Sequence, residues 1–318
     1  MTTRPTYAEL CGREDAPPGS SWGVFGEDDQ LGTLGIAGAE HAVAASACVV
    51  SGEVFGLDYP LEAFDPPIAS TRSTLRHRIF SRHVDHRDDV VEMFFPQASS
   101  QWDGLRHRRH HRHGFYNRTP DEAVTEHSAT LGVSRWADRG IVSRGLVLDV
   151  ARGSGDIDHE GGEALGVEHL RVAVESQGVV PVEGDVLLLH TGWAHWYLGL
   201  SEKQRAEVRG RRRFTGLAQD REVLAWLWDS GFAAVATDTY AVEVLPPRAD
   251  SVFGCETDEG MMHQELIAML GMALGELWRL DALAAACARD RRYTCLLASK
   301  PLHLRGGVGS PANAMAIR

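Results

Sequence analysis

The sequence predicts an α/β or α+β domain built around a covered sheet. Segments with strand and helix patterns alternate along the chain, which is typical of a sheet flanked by helices. The runs at 186–189 and 232–236 are apolar on both faces, as strands covered on both sides are. No Pro/Ser/Gly-rich linker divides the 318 residues, so we expect one domain over 1–318. Residues 1–30, rich in Pro, Gly and acidic side chains, are expected to form an N-terminal surface arm.

The individual elements follow from local pattern. An Ala-rich helix is expected at 38–47 and two alternating strands at 75–84 and 90–95. A helix is expected over 119–138, because Pro120 suits the first turn and the acidic residues after it suit the positive end of the helix dipole. Further strands are expected at 145–150, 184–191, 232–237 and 293–299, and further helices at 166–176, 201–213, 220–230 and 263–280.

Charge and motif content exclude several classes of partner. The chain carries 32 Lys+Arg against 44 Asp+Glu, a net charge of −12, which argues against nucleic acid and anionic membranes as partners. No run of about 18 apolar residues suits a membrane span. No GxGxxG or GxxxxGK[ST] follows a strand, so we expect no nucleotide cofactor. Five widely spaced cysteines without a CxxC fit reduced thiols in a cytoplasmic protein, and a small molecule is the expected substrate.

The count of 15 His is the unusual feature, and two of these residues stand out. Asp103 and His107 are four residues apart, so on one helical turn they would face the same way. A carboxylate beside an imidazole raises the basicity of the ring, as a general base requires. A surface ion pair, or an Asp that caps a helix N-terminus, is the alternative. The His/Arg run at 106–113 fits a solvated loop or a positive rim that guides an anionic substrate, with His107 as the exception. A nucleic-acid patch or a His metal cluster is the alternative.

His263 lies thirteen residues before Glu276. On an unbroken helix the two would be about 20 Å apart, so they can share one site only if the helix breaks at 270–271. Gly271 makes that break possible. A capping or core role for His263 is the alternative. The polar stretch at 236–243, which ends in Glu243, follows a buried strand, where α/β proteins place their sites; turn and cap chemistry is the alternative.

Six stretches in the same order resemble the cyclase family that contains bacterial kynurenine formamidase and isatin hydrolase. The resemblance covers about 22–301 and implies a swivelling β/β/α fold, with a mixed sheet or barrel flanked by helices. It also implies a homodimer or homotetramer. The chain resembles the longer branch that carries QWDG. The stretches are DQLGTL at 29–34, SQWDGLRH at 100–107, GIVSRGLVLD at 140–149, GDVLLLHTGW at 184–193, ATDTYAVE at 236–243 and the segment that begins at His263.

The resemblance also implies site residues. Amide-hydrolysing members carry an HxxxHxDxxxH signature, in which the first two His and the Asp bind Zn²⁺ or Mn²⁺ and the last His assists catalysis. A His and a Glu near the C-terminus complete a second metal position. The signature falls on Gln97, Gln101, Asp103 and His107, and the distal pair on His263 and Glu276.

Two of these positions depart from the family pattern. Gln97 and Gln101 stand where the signature has His, and an amide oxygen is a weaker ligand than imidazole for Zn²⁺ or Mn²⁺. Two outcomes follow. Either the site is metal-free, or one divalent ion (Mn²⁺, Zn²⁺ or Mg²⁺) binds to Asp103, His263 and Glu276.

The predicted activity is hydrolysis of a C–N bond in a small cyclic amide or formamide. His107 is expected to be the general base, oriented by Asp103, while Gln101 and Gln97 donate N–H groups to the oxyanion. The alternatives are a metal-independent cyclase, dehydratase or isomerase of a small aromatic or polyketide-like metabolite, and a ligand-binding protein without activity. Residues expected to contact the substrate, besides Gln97, are Trp102, Phe95, Phe94, Trp193 and Glu243.

Overall fold

The fold was analysed in a computed structural model that describes residues 4–153, 155–253 and 260–318. Nine strands of this part form one mixed sheet, in the order β1-β13-β11-β5-β7-β9-β10-β4-β12, flanked by helices. The predicted α/β class and the mixed sheet implied by the resemblance are therefore confirmed. The strands of the whole described chain are β1 Val54–Gly56, β2 Arg76–Phe80, β3 Asp88–Glu92, β4 Gln101–Asp103, β5 Ile141–Asp149, β6 Ala164–Leu165, β7 Val186–His190, β8 Gly216–Leu217, β9 Ala234–Thr237, β10 Ala273–Glu276, β11 Thr294–Ser299, β12 Gly309–Pro311 and β13 Ala314–Ile317.

Strands β5, β7, β9 and β10 run parallel and form the centre of the sheet, whereas its other neighbouring strands pair antiparallel. Strands β2 and β3 form a separate hairpin, and β6 pairs with β8. Among the described residues, no helix is long and apolar enough to cross a membrane. The α-helices are α1 Tyr7–Cys11, α2 Ala39–Ser46, α3 Ser134–Arg139, α4 Val150–Gly153, α5 Val167–Gln177, α6 Trp193–Gly199, α7 Glu202–Arg211, α8 Arg221–Asp229 and α9 Asp281–Asp290.

Most of the predicted elements form where the pattern was strong. Strands β5, β7, β9 and β11 and helices α2, α5, α7 and α8 are confirmed, within a few residues at their ends. Local chemistry explains their bounds. Ser201 and Gln204 cap each other at the start of α7, and Asp220 accepts the Glu222 N–H at the start of α8. Helix α5 ends at Gly178 in the left-handed conformation.

The helix predicted over 119–138 is wrong. The segment forms a 3-10 turn at Asp121–Ala123 and the short helix α3 only. The reason is the buried Arg106, whose guanidinium takes the backbone carbonyls of Thr125, Ser128 and Thr130 as acceptors. Those carbonyls are then engaged by a side chain instead of by the backbone of a helix.

The long helix predicted over 263–280 is also wrong. A π-helix, Gln264–Met269, is followed by a turn at Gly271, which has φ +65°, and the chain then enters β10. A Cβ atom at Gly271 would come within 2.4 Å of the Tyr116 ring, so only glycine fits this turn. Pairing of β10 with β9 and β4 takes the place of the helix. The break at 270–271 that the shared site required is therefore present.

The N-terminal segment contributes to the core rather than lying on the surface alone. Tyr7, Leu10 and Trp22 are buried in the main hydrophobic cluster. The Trp22 indole donates to the carbonyl of Ala268 at 2.7 Å, and the Ser21 hydroxyl donates to that of Leu270 at 2.9 Å. These bonds satisfy carbonyls at the end of the π-helix. The segment thus supports the element that carries His263.

Candidate active site

A cavity of about 260 Å³ lies beside strands β4 and β10, and His107, His263 and Glu276 line it. Gln101 and Asp103 alternate with Trp102 on β4, so their side chains share one face of the sheet. Glu276 pairs directly with Gln101 in the antiparallel register, which brings its carboxylate to the same face. The sheet therefore places two carboxylates and an amide side by side.

Asp103, His263 and Glu276 converge on one point. Each offers a ligand atom, and these atoms lie within 4.8 Å of one another. All three residues are buried, with 1 %, 2 % and 4 % of their surface exposed. The break at Gly271 turns β10 back along the π-helix, so His263 Nε2 lies 3.2 Å from Glu276 Oε1. Residues thirteen apart in sequence thus share one site.

Glu243 holds His263 from the other side. The carboxylate accepts from His263 Nδ1 at 2.5 Å, from the His263 backbone N–H at 2.8 Å, and from Gln219 Nε2 at 2.7 Å. Glu243 follows a strained turn, in which Ala241 and Val242 have φ +79° and +56°, and this turn brings its side chain to His263. Glu243 is fully buried and its oxygens are occupied, so the substrate contact predicted for it does not fit its position.

The charges of this group are set by competing effects. Burial lowers the pKa of His263, but hydrogen bonds to the Glu243 and Glu276 carboxylates outweigh it and raise that pKa to about 10. Burial, and then the nearby charge of Asp103, raise the pKa of Glu276 above its usual range. A carboxylate with a raised pKa is a better proton acceptor near neutral pH than an ordinary one.

The two glutamines of the altered signature donate hydrogen bonds to the carboxylates. Gln101 Nε2 donates to Glu276 Oε2 at 2.8 Å, and Gln97 Nε2 donates to Asp103 Oδ1. Their N–H groups point at these acceptors, which leaves them badly placed for the oxyanion contacts predicted for Gln97 and Gln101. Two buried oxygens of this group have no hydrogen-bond partner among the described residues, namely Gln101 Oε1 and Asp103 Oδ2.

His107 differs from its predicted state. Its Nδ1 lies 3.9 Å from Asp103 Oδ1, beyond hydrogen-bond distance, and Gln97 Nε2 bridges the two, 2.9 Å from that Nδ1. Because the Gln97 atom that faces a carboxylate must be the NH₂ group, His107 Nδ1 accepts and its proton lies on Nε2. Burial lowers the pKa of His107, which favours the neutral ring. The resting hydrogen bonds therefore favour an N–H donor toward the cavity rather than the predicted general base.

A divalent cation fits the donor set. Asp103 and Glu276 offer carboxylate oxygens, and His263 Nε2 adds one nitrogen when Nδ1–H donates to Glu243. Gln101, which donates to Glu276, carries a further buried oxygen without a partner among the described residues. Buried oxygens without partners are costly unless an ion or water satisfies them. An oxygen-rich set of this kind suits Mn²⁺ or Mg²⁺ better than tetrahedral Zn²⁺. Of the two predicted outcomes, the unpartnered oxygens favour a bound ion.

The aromatic residues predicted to contact the substrate lie elsewhere. Trp102 is fully buried, and its indole donates to Ser299 at 2.9 Å. Trp193 packs in a second hydrophobic cluster, and Phe94 and Phe95 line a separate small pocket. The local pattern identified these residues as apolar but gave no information on which side of the sheet they face.

The cavity wall instead includes residues to which the sequence analysis gave no individual role. Arg72, Arg108 and Arg212 line it together with Tyr240. Tyr240 belongs to the polar stretch at 236–243 and Arg108 to the His/Arg run at 106–113, so a signal for both existed. Arg72 lies in a loop and Arg212 follows a charged helix, and nothing in their sequence context distinguishes them from surface arginines.

Comparison with known proteins identifies the family. The model of the Cyclase family matches residues 57–244, more than half of the chain. The chain belongs to the Cyclase family. A solved structure described as a novel cyclase is 29 % identical, with a TM-score of 0.82, covering 94 % of this chain and 99 % of that one. No curated protein matches the sequence.

Isatin hydrolases share the fold at lower identity. Isatin hydrolase A from Labrenzia aggregata, bound to benzyl benzoate, is 16 % identical with a TM-score of 0.58, covering 86 % of this chain and 94 % of that one. An isatin hydrolase bound to the product analogue thioisatinate is 15 % identical with a TM-score of 0.55, covering 88 % of this chain and 98 % of that one. These likenesses establish the common fold of the Cyclase-family chain and those enzymes.

Proposed function

We propose that this Cyclase-family protein is a hydrolase that cleaves a C–N bond in a small cyclic amide or formamide. The observation that carries the proposal is the convergence of Asp103, His107, His263 and Glu276 around one cavity. Amide hydrolysis needs a hydrogen-bond donor to the carbonyl oxygen and a proton acceptor for water. Here a neutral imidazole is the donor, a carboxylate with a raised pKa is the acceptor, and a candidate cation site lies beside them. The QWDG motif at 101–104 supports placement in the longer branch of the family.

The roles follow from the hydrogen bonds. Glu276 accepts a proton from water as the water oxygen bonds to the carbonyl carbon. His107 Nε2–H donates a hydrogen bond to the carbonyl oxygen as that oxygen gains negative charge, and Gln97 keeps the ring in this tautomer. The C–N bond then breaks, and the nitrogen leaves with the proton that Glu276 had taken. Gln101 holds the Glu276 carboxylate in place.

A divalent ion is the proposed cofactor. Asp103, Glu276 and His263 would hold it, with Gln101 Oε1 as a further oxygen donor. Such an ion lowers the pKa of a bound water and polarises a carbonyl oxygen. Elemental analysis of protein purified without chelator is the direct check, and we expect about one equivalent of Mn or Mg.

The decisive experiment is turnover of N-formylkynurenine and isatin by the purified protein, with and without added Mn²⁺. We expect His107→Ala to lose at least about 100-fold in rate, because one positioned donor to an oxyanion is worth that much. His127→Ala, at an exposed histidine, is the matched control and should keep full activity. His107→Gln separates the two roles of the ring, since glutamine donates a hydrogen bond but is no base. Partial activity of His107→Gln supports the donor role, and no turnover by the wild type under any condition contradicts the hydrolase.

A second activity is favoured by one specific observation. Gln97 and Gln101 replace the two histidines of the family signature, while Glu276 and His107 still face one cavity as acceptor and donor. An acceptor and a donor suffice for a metal-independent cyclase, dehydratase or isomerase of a small aromatic or polyketide-like metabolite. Deuterium exchange from D₂O into a cyclic ketone, followed by NMR, tests this. Exchange that Glu276→Gln abolishes, together with no hydrolysis of either amide, would establish the alternative.

The cellular setting is proposed on the resemblance and on charge. We infer a cytoplasmic homodimer or homotetramer that acts on a small molecule, with neither nucleic acid nor membrane as a partner. The net charge of −12 supports the last two points. Light scattering of the purified protein measures the assembly state, and a monomer at working concentration would contradict it.

A further inference from the structure

A second group of histidine and aspartate side chains lies at the carboxyl ends of the parallel strands, across the sheet from the candidate active site. Leu188, Ala236 and Gly275 pair across β7, β9 and β10, so these three positions share one face of the sheet. Glu276 comes one residue after Gly275 and therefore points to the opposite face. His190, the last residue of β7, comes two residues after Leu188 and returns to the first face. The group around His190 is thus separated from Glu276 by the sheet itself.

Asp149 orients the His190 ring. It is the last residue of β5 and pairs directly with His190 in the parallel register. Its Oδ1 accepts from His190 Nδ1 at 2.9 Å, and the backbone N–H of Arg152 donates to the same oxygen at 3.2 Å. A carboxylate on one ring nitrogen fixes the orientation of the ring and leaves the other nitrogen for a ligand, which is the usual arrangement of histidines that bind metals.

Asp281 faces the other ring nitrogen from the start of helix α9. Its Oδ1 lies 3.4 Å from His190 Nε2, whereas a hydrogen bond between charged partners of this kind is usually about 2.7–2.9 Å long. Two ligands of a tetrahedral Zn²⁺ with bonds of about 2.0–2.1 Å lie about 3.3 Å apart. The Tyr59 hydroxyl donates to the second oxygen, Asp281 Oδ2, at 2.9 Å and holds the carboxylate in place. The gap between His190 and Asp281 therefore has the width that a zinc ion requires.

His195 offers a third ligand from helix α6. Its Nδ1 lies 3.9 Å from the same oxygen, Asp281 Oδ1. The three ligand atoms are less closely gathered than those at Asp103, and a turn of the His195 ring brings them together. That ring is 82 % exposed, so it can turn without displacing a neighbour. Two imidazoles, one carboxylate and a water make up a donor set that Zn²⁺ accepts.

The charges around His190 favour a divalent ion. Burial lowers the pKa of His190, but hydrogen bonds to Asp149 and Asp281 outweigh it and raise that pKa to about 10. Without a metal, one imidazolium thus stands against two carboxylates. The carboxylates that attract the proton attract a cation in its place, and Zn²⁺ on Nε2 of the neutral ring would balance both of their charges.

We propose that His190, His195 and Asp281 form a second cation site, which binds one Zn²⁺ with water as the fourth ligand. The inference does not depend on the proposed hydrolase, because the site lies on the other face of the sheet. Asp281 is partly exposed and His195 largely so, which gives the ion a path from solvent. A bound ion would tie the end of β7 to the starts of α6 and α9.

Zinc titration of the full chain tests this site. Asp103→Asn is the background, because it removes a ligand of the other candidate cation site. We expect this protein to bind about one equivalent of Zn²⁺ in isothermal titration, and His195→Ala to weaken the binding by at least about tenfold. Since His195 is exposed, its removal leaves the fold intact. His303→Ala is the matched control and should leave the affinity unchanged, because His303 is an exposed histidine that pairs with Asp138 at 2.8 Å.

Cobalt and one further variant separate a built site from adventitious binding. Tetrahedral Co²⁺ absorbs visible light much more strongly than octahedral Co²⁺, so we expect intense bands in Asp103→Asn that His190→Gln and His195→Ala both lose. Asp149→Asn keeps all three ligands but holds the His190 ring less firmly, and the affinity for Zn²⁺ should fall by about 10- to 100-fold. No zinc bound by Asp103→Asn, or equal affinities with and without His195→Ala, overturns the second cation site.

Discussion

Asp103→Asn should stabilise the metal-free protein while it removes the cation site. Asp103 and Glu276 place ligand oxygens within 4.8 Å of each other. Two like charges at that distance repel by about 3.5 kcal/mol at an effective dielectric constant of 20. Protonation of Glu276 and the charge of His263 reduce this repulsion, so we expect the free energy of unfolding of Asp103→Asn to rise by about 1–3 kcal/mol at pH 8. Asn at this position keeps an acceptor for Gln97 and places an NH₂ group at the unpartnered Oδ2 position.

Urea unfolding in EDTA measures the free energy of unfolding, and titration calorimetry with Mn²⁺ measures the cation site. Asp185→Asn is the matched control, because Asp185 is equally buried but pairs with Arg144 at 2.6 Å. That control should lose stability, by about 3 kcal/mol or more. A variant Asp103→Asn that is less stable than the wild type in EDTA would rule out the repulsion between Asp103 and Glu276, and unchanged Mn²⁺ affinity would rule out Asp103 as a ligand.

Three further predictions concern the bond between Glu243 and His263, the two histidines with a raised pKa, and the turn at Gly271. Glu243→Gln leaves His263 with a weaker hydrogen-bond partner, so the pKa of His263 should fall. The free energy of unfolding in urea should fall by about 2–4 kcal/mol, whereas a Glu→Gln substitution at an exposed position should leave it nearly unchanged. Burial lowers the pKa of His263 and of His190, but hydrogen bonds to two carboxylates each, Asp149 and Asp281 in the case of His190, outweigh it and raise both pKa values to about 10. The stability that these bonds provide is therefore complete below about pH 6.5 and is lost as the pH rises towards 10. Unfolding free energies measured from pH 7 to 10 should therefore decline, and less steeply in His190→Gln. Gly271→Ala should cost more than about 2 kcal/mol because its Cβ has no room, whereas Gly199→Ala, in open space, should change the melting temperature little.

The sequence was informative where one local pattern decides the structure. Strands β7 and β9, and β5 over 145–148, contain continuous apolar runs, and such runs are buried strands in most contexts. Asp103 and His107 were grouped correctly as neighbours, although the helical turn assumed for them is a strand end followed by a loop. The two side chains are close both on a helical turn and at a strand end followed by a loop, so the prediction did not depend on the backbone conformation.

What the sequence could not provide depends on contacts between distant segments. Gly271 was recognised as a possible break, but the Tyr116 ring that requires glycine there is 155 residues away in the chain. The bridge from Gln97 to His107 reverses the expected proton position, and spacing alone carries no information on tautomers. Arg212 enters the cavity through one left-handed residue, which no local propensity favours.

The most direct test of the central claim is the hydrolysis rate of N-formylkynurenine by the wild type and by Glu276→Gln, measured side by side in the presence of Mn²⁺. Glu53→Gln, at an exposed carboxylate, is the control. We expect turnover by the wild type and the control, and a loss of at least about 100-fold in Glu276→Gln, because that carboxylate accepts the proton and lines the cavity. Equal rates for wild type and Glu276→Gln would contradict it.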